Sequence, residues 1–230
     1  MTSTRLPGKV LMDLDGSPVL KRQLDRLKRC RTADEIVVAT TTNASDEPIV
    51  ELCAREGVRT FRGPESDVLA RYLGAAREAR ADVIVRVTSD CPLICPEICD
   101  KVVASLGDAD YVSNMVKRTY PRGLDTEAFT RAALETCAAE ATSGPAREHV
   151  TWFIRAEAPE RFNARTVEDA EDHSDLRWTV DEPEDLAAVR LLWTGAKLSE
   201  NAFGYREILA YALAHPEIAA LNAAVEQKKV

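Results

Sequence analysis

Hydrophobic positions along this chain follow two alternating periods. Ile36-Val37-Val38-Ala39-Thr40, Val58-Arg59-Thr60-Phe61 and Val83-Ile84-Val85-Arg86-Val87-Thr88 are short β-rich runs and read as strands. Runs such as 83–88, apolar on successive residues, suit strands covered on both faces, as in a parallel sheet. Asp110-Tyr111-Val112-Ser113 and Leu176-Arg177-Trp178-Thr179-Val180 are weaker strand patterns. Between these runs the spacing turns helical. Ser17 can cap a helix with Pro18 at its first position and with Leu20, Leu24 and Leu27 as its inner stripe. A second helix turns Ile49, Leu52 and Cys53 inward and stops at Gly57. A third starts at Ser66 and buries Leu69, Tyr72, Leu73 and Ala76. Helices and strands in alternation predict an α/β fold with a doubly wound, mostly parallel sheet.

The segment 114–175 breaks that rhythm. It holds Thr119-Tyr120-Pro121-Arg122-Gly123, helical patterns at 129–140 and 145–157, and a polar stretch at 163–175. It reads as an insertion over the C-terminal edge of the sheet. A helix at 183–195 then closes the core, so one α/β domain is expected over 1–195. The tail 196–230 is helical and Ala-rich, with an interruption at His215-Pro216.

Length agrees with this reading, because 230 residues suit one α/β domain with a large core. No apolar run approaches the ~20 residues that span a bilayer. The first ten residues hold no apolar block of signal-peptide length either, and a cytoplasmic location is the default. The six cysteines, at 30, 53, 91, 95, 99 and 137, form no CxxC pair. Cys91, Cys95 and Cys99 are four apart, a spacing that structural zinc sites rarely use, and read as small packing residues. The formal net charge of -8 sets the field against nucleic acid as a partner. A small phosphorylated ligand remains compatible with it through a local basic cluster.

Such a cluster opens the chain. Ser3-Thr4-Arg5-Leu6-Pro7-Gly8-Lys9 places two hydroxyls and two cations around a Pro-Gly turn, an arrangement that can hold phosphates. It is not a Walker A loop, since no glycine precedes Gly8-Lys9 at the required spacing. Asp90 follows the strand at 83–88 and Asp181 the strand at 176–180, at the carboxyl ends where ligands of open α/β sheets gather. Two carboxylates there can share a Mg²⁺. Each also has a plain structural alternative: Asp181 as a helix cap with Glu184 three residues on, and Asp90 as a turn residue before Pro92.

These motifs, taken in order, resemble the sugar-acid cytidylyltransferases. The matching pieces are residues 3–9, Thr88-Ser89-Asp90-Cys91-Pro92-Leu93 and Val180-Asp181-Glu182-Pro183-Glu184-Asp185-Leu186. Arg62-Gly63 with Asp67-Val68-Leu69-Ala70-Arg71-Tyr72, then Arg118 through Asp125, then Arg147-Glu148-His149-Val150-Thr151 match as well. The chain is most similar to the branch of spore coat polysaccharide biosynthesis proteins of the SpsF type, related to ketodeoxyoctonate and acylneuraminate cytidylyltransferases. The resemblance implies a nucleotide-diphospho-sugar-transferase-like sheet and transfer of CMP from CTP to a sugar or sugar acid, with pyrophosphate released, for surface polysaccharide synthesis. It implies that Arg5 and Lys9 hold the triphosphate with help from Ser3 and Thr4, and that Asp90 and Asp181 bind Mg²⁺. Arg62, Gly63 and Asp67 are expected near the base or ribose. Tyr120, Arg122, Asp125, Glu148 and His149 are expected to face the sugar. A homodimer is the expected assembly, with neither nucleic acid nor a membrane as partner.

Two departures go with the resemblance. Members of the family begin with a hydrophobic strand ending in Ala-Arg, and that Arg falls immediately before Met1 here. The first strand, central between 36–40 and 83–88, is therefore expected to be missing, through a misplaced start or a truncation. Glu182 stands where relatives have a capping Thr, which is expected to weaken the cap. Two other readings stay open. One is a non-catalytic binding subunit, if the chain lacks that strand in the cell. The other is a glycosyltransferase on the same fold, whose Asp-x-Asp is Asp108-Ala109-Asp110.

Overall fold

The computed structural model describes residues 5–200 and 202–227. Ser3 and Thr4 lie outside the described residues. Six strands occur among them: β1 (Val37–Thr41), β2 (Arg59–Gly63), β3 (Val83–Arg86), β4 (Tyr111–Ser113), β5 (Glu127–Thr130) and β6 (Ala164–Thr166). The helices are α1 (Val19–Leu27), α2 (Glu47–Arg55), α3 (Val68–Ala79), α4 (Pro96–Ala104), α5 (Arg131–Glu140), α6 (Gly144–Glu148), α7 (Pro183–Gly195), α8 (Tyr205–Ala214) and α9 (Pro216–Ala220). The α/β class follows the sequence pattern. The first three predicted strands and the helix at 183–195 fall where the periodicity placed them.

β1 and β2 pair in parallel, from Val37 opposite Arg59 to Thr41 opposite Gly63. A second, four-stranded sheet has the order β3-β5-β4-β6. There β4 and β6 are parallel, whereas β5 is antiparallel to both neighbours. The reading of 114–175 as cover over the sheet edge is thus corrected in part, because β5 comes from that segment and lies inside the sheet. Its signal was masked by the helical pattern that follows. Thr130 ends β5 and also caps α5, its hydroxyl accepting from the Ala133 N–H at 3.1 Å.

The helical stretch at 145–157 is also broken. α6 ends at Glu148, and a π-turn covers Phe153–Glu157. Between them Val150 sits at φ +52°, a conformation that a β-branched residue rarely adopts. Its neighbours close the turn through Thr151 N–H to the His149 carbonyl at 2.5 Å.

Residues 176–180 differ as well. They run extended but form only an isolated bridge between Arg122 and Arg177. The backbone of Arg122 exchanges bonds with Leu176 O (3.0 Å) and Trp178 N (2.7 Å). Gly123 makes this approach feasible. It has φ +102°, and a Cβ there would stand 2.6 Å from the Trp178 carbonyl carbon.

Packing fixes these elements around three apolar clusters. α1 and α2 meet below β1 through Leu20, Leu24, Ile49 and Leu52. Each such leucine contributes about 1.5–3 kcal/mol when buried. α3, α5 and β5 share a second cluster around Leu69, Phe129 and Leu134. The largest gathers α4, α7, α8 and α9 around Trp178, Val180 and Ile208, so α8 and α9 of the tail share a core with the sheet. All six cysteines are free, and Cys91, Cys95 and Cys99 are buried as packing residues. Of the three, only Cys99 lies in α4. No helix among the described residues is long and apolar enough to cross a membrane.

Candidate active site

The N-terminal turn aims two cations at one point. Leu6 is buried and anchors the turn, and Gly8 at φ +70° reverses the chain into a short 3-10 turn at Lys9–Leu11. The Lys9 ammonium then donates to Asp90 Oδ2 at 2.6 Å and to Asp181 Oδ1 at 2.7 Å. Arg5 pairs with Asp181 at 3.0 Å and with Glu182 at 3.6 Å. Four of the residues singled out from sequence, Arg5, Lys9, Asp90 and Asp181, therefore meet although up to 176 positions separate them along the chain (181 − 5).

The two aspartates meet because their loops are tied together. The Val180 N–H donates to the Asp90 carbonyl at 2.8 Å. Asp181 is then held from behind. Its N–H donates to Asp185 Oδ2 at 2.9 Å, and Arg177 bridges Asp181 at 2.8 Å and Asp185 at 2.8 Å. Asp185 is fully buried and also accepts from the Glu182 N–H at 3.0 Å and Asn222 at 2.9 Å. Asp181 is not the helix cap. Glu182 is the N-cap residue, and its N–H donates to Asp185. The Glu182 side chain makes no cap hydrogen bond of its own, as expected for a cap weaker than a threonine's.

Charge is concentrated here. Burial pushes the Asp181 carboxyl up, but the hydrogen bond from Lys9 and the charges of Lys9, Arg5 and Arg177 outweigh it and hold it below the ordinary range. Burial likewise pulls Lys9 down, and Asp90 and Asp181 more than restore it, so the ammonium stays charged. The pair offers oxygen donors of the kind a hard ion takes, although no group of three or more metal-ligating side chains gathers among the described residues.

Beside it opens a cleft of about 290 Å³, lined by Gly8, Lys9, Thr41, Asp46, Arg71 and Ser89 among others. It lies at the carboxyl ends of β1 and β3, as expected for an α/β sheet. Asp46 is a wall residue that the sequence reading missed. It is buried and accepts from the Thr40 and Thr41 hydroxyls at 2.7 Å each. Burial pushes its carboxyl up, and these hydrogen bonds pull it well below the usual range. The available signal was Thr40-Thr41-Thr42 at a strand end followed by an acid before a helix.

The remaining predicted residues divide. Arg62 spans from the Thr41 carbonyl (3.0 Å) and the Asn43 carbonyl (3.1 Å) to Glu47 (2.7 Å), tying down the loop on the cleft rim. Gly63 ends β2 and accepts from Thr42 N–H at 3.1 Å. Asp67 caps α3 by accepting from the Ala70 N–H at 2.8 Å and holds Arg147 at 3.0 Å. Both of its oxygens are thereby used in packing α6 onto α3. Tyr120, expected to face the sugar, is turned into the core. It is 3% exposed, packs edge-on against Tyr205 at 5.4 Å, and its hydroxyl accepts from Lys101 at 3.0 Å. Asp125 is held by both arms of Arg118. Arg122 is half-buried beside that pair, and burial together with the Arg118 charge lowers its pKa. Glu148 and His149 end α6 next to the strained Val150, and the His149 ring stands 6.3 Å from Trp152. Asp108 and Asp110 have structural partners: Asp108 pairs with Arg165, and Asp110 accepts from Asn163 N–H at 2.9 Å.

An α/β sheet with a basic turn and a carboxylate pair at its strand ends is an arrangement that suits a phosphorylated ligand. Comparison with known proteins narrows the class: the family model described as cytidylyltransferase matches residues 1–207, and the chain belongs to that family. It is a nucleotidyltransferase of the CTP-using kind. An uncharacterized protein of Methanocaldococcus jannaschii is 38% identical over 230 residues, covering 98% of this chain and 92% of the relative. The spore coat polysaccharide biosynthesis protein SpsF of Bacillus subtilis is 30% identical over 215 residues, 85% of this chain and 84% of its own. Among solved structures, a cytidylyltransferase from Leptospira borgpetersenii superposes with TM-score 0.90 at 31% identity, over 100% of this chain and 95% of that one.

Proposed function

We propose that this chain transfers CMP from CTP to a hydroxyl of a sugar or sugar acid in the cytoplasm, as an activation step for surface polysaccharide, with Mg²⁺ as its metal. The observation that carries the reading is the Lys9 ammonium held between Asp90 and Asp181 at 2.6 and 2.7 Å beside the cleft. Two carboxylates close enough to share one ammonium, Asp90 and Asp181, would be the residues to hold a Mg²⁺. Bound there, it would supply charge neutralisation at the phosphates. The chain's own part is to position and to bind. Lys9 and Arg5, released from the carboxylates, turn their charges to the triphosphate. Asp46 and the Thr40–Thr41 edge shape the cleft wall on the nucleoside side. Arg122 and Asp125, with Glu148 and His149, belong to the acceptor side. The acceptor oxygen forms its bond to the α-phosphorus as the bond to the bridging oxygen breaks. Pyrophosphate leaves in line, and the hydroxyl proton is lost to solvent.

The test is the initial rate of pyrophosphate release from CTP, UTP, ATP and GTP, with a panel of ulosonic acids and neutral sugars. Acceptor-dependent release from CTP is expected. Release from UTP or ATP at the CTP rate would reject the reading.

A further inference from the structure

One face of the four-stranded sheet carries a charged network inside an otherwise apolar cluster. Glu127 opens β5 opposite Arg86 of β3 and Ser113 of β4, on the sheet face that also carries Ile84 and Phe129. It is fully buried. Its Oε2 pairs with Arg86, and its Oε1 accepts from the Tyr111 hydroxyl at 2.7 Å. Oε1 also accepts from the Thr151 hydroxyl and lies 3.6 Å from Arg155 Nε. Burial pushes the carboxyl up, but the charges of Arg86 and Arg155 and the bonds from Thr151 and Tyr111 outweigh it, so the group stays ionised.

Stability alone does not call for such a group. Apolar residues often replace a buried ion pair without loss, because desolvation offsets the attraction. What distinguishes this network is the turn it reaches. Val150 sits at φ +52°, and Thr151 follows it directly. The Thr151 hydroxyl is fastened to Glu127, while its N–H bonds the His149 carbonyl across Val150. Arg155 adds a second route. Its Nε donates to the Thr151 hydroxyl at 3.2 Å, and its guanidinium lies 5.7 Å from the Trp152 ring, which stands 6.3 Å from the His149 ring. Backbone strain of this kind persists only where the surroundings over-determine it. Glu127 is common to both routes.

We propose that Glu127 is a positioning residue for the acceptor side of the site: by holding Thr151 and Arg155 it fixes Val150 in the left-handed conformation and so sets the direction in which Glu148 and His149 are presented. This rests on the reading that Glu148 and His149 belong to the acceptor side. Glu127, being fully buried, acts through the turn. Without its hold the turn relaxes towards unstrained conformations, and the acceptor finds the competent one in only a fraction of molecules. Apparent affinity for the acceptor then falls by that fraction. The cleft formed by Lys9, Thr41 and Asp46 is left as it was, so CTP binding is spared.

Tyr111→Phe and Thr151→Val each remove one hydroxyl donor from the same carboxylate oxygen, and only the second frees the turn. The chain has three histidines, at 149, 173 and 215, whose ring signals can be followed together by NMR. Thr151→Val and Glu127→Gln should each shift the His149 signals and leave those of His173 and His215 in place. Tyr111→Phe should move none of the three, and Thr151→Ser should restore the wild-type spectrum. Thr151→Val carries the same test if Glu127→Gln does not fold. The second readout is pyrophosphate release with whichever ulosonic acid or neutral sugar supports the highest wild-type rate. Thr151→Val should raise KM for that acceptor about tenfold, the factor of one hydrogen bond to a charged group, with KM for CTP changed less than about twofold. Tyr111→Phe should leave both as they are. His149 signals unmoved by Thr151→Val would overturn the inference, as would acceptor and CTP KM values that rise together or equal effects of Thr151→Val and Tyr111→Phe. If no acceptor supports release, the acceptor reading fails, and the histidine signals still decide the positioning.

Discussion

Replacing Asp185 by alanine removes a carboxylate that accepts five hydrogen bonds: two from Arg177, one each from the Asp181 and Glu182 main chains, and one from Asn222. The group is fully buried, and Arg177 is only 8% exposed. Removing one partner of a buried ion pair costs about 3–5 kcal/mol, because the other charge stays behind without solvent. Arg177 still has Asp181 at 2.8 Å and Gln227 at 2.7 Å, which places the expected loss near the lower end, about 3 kcal/mol. That is a large share of the ~5–15 kcal/mol that a domain of this kind has. Urea denaturation of wild type and Asp185→Ala measures it. Asp181→Asn is the control, since it leaves the Asp185 anchor in place. A loss under about 1 kcal/mol for Asp185→Ala, within the range of ordinary surface changes, would refute the claim that Asp185 is the anchor of the Asp181 loop.

Asp90→Asn and Asp181→Asn should each abolish metal-dependent turnover with the fold intact by circular dichroism; near wild-type rates at limiting Mg²⁺ would remove that residue from the metal site. Gly123→Ala should lose about 1–3 kcal/mol through its positive φ and the clash with Trp178, and should raise KM for CTP as 176–180 shifts; an unchanged KM and melting temperature would contradict this. CTP with Mg²⁺ should raise the melting temperature more than ATP, GTP or UTP, and equal shifts would argue against cytosine selection. Stability should fall on acidification. Asp181 and Asp46 are held below their ordinary 3.8. Glu127, despite burial, is held below 4.5 by Arg86 and Arg155. Their unfolded forms bind protons first, so their contribution is full above about pH 5 and lost as pH falls through the folded values. Urea midpoints at pH 7, 5 and 3.5 check it, and a midpoint at pH 3.5 equal to that at pH 7 would contradict it.

Much of this site was legible because chemistry and position coincide in the sequence. Arg5 and Lys9 flank a Pro-Gly turn, and Asp90 follows a strong strand pattern. Asp181 joined the set as the residue after the weaker strand pattern at 176–180. What was hidden depends on partners far away in the chain. Asp67 stands in a motif, yet only the fold reveals that Arg147 and the α3 amide use its carboxylate. Tyr120 reads as a polar aromatic near a glycine turn, and its burial against Tyr205 comes from the tail helices. β5 was hidden because its four residues run straight into α5. Its antiparallel place between β3 and β4 is set by pairing, which periodicity does not encode.

The central claim is transfer of the α-phosphoryl group of CTP to a sugar hydroxyl. Following α-labelled CTP through turnover tests it most directly. The account predicts that the label moves into a new phosphodiester with the acceptor, one pyrophosphate appearing per transfer, and that both stop in Asp181→Asn. Label recovered only as free CMP, or transfer undiminished in Asp181→Asn, would contradict it.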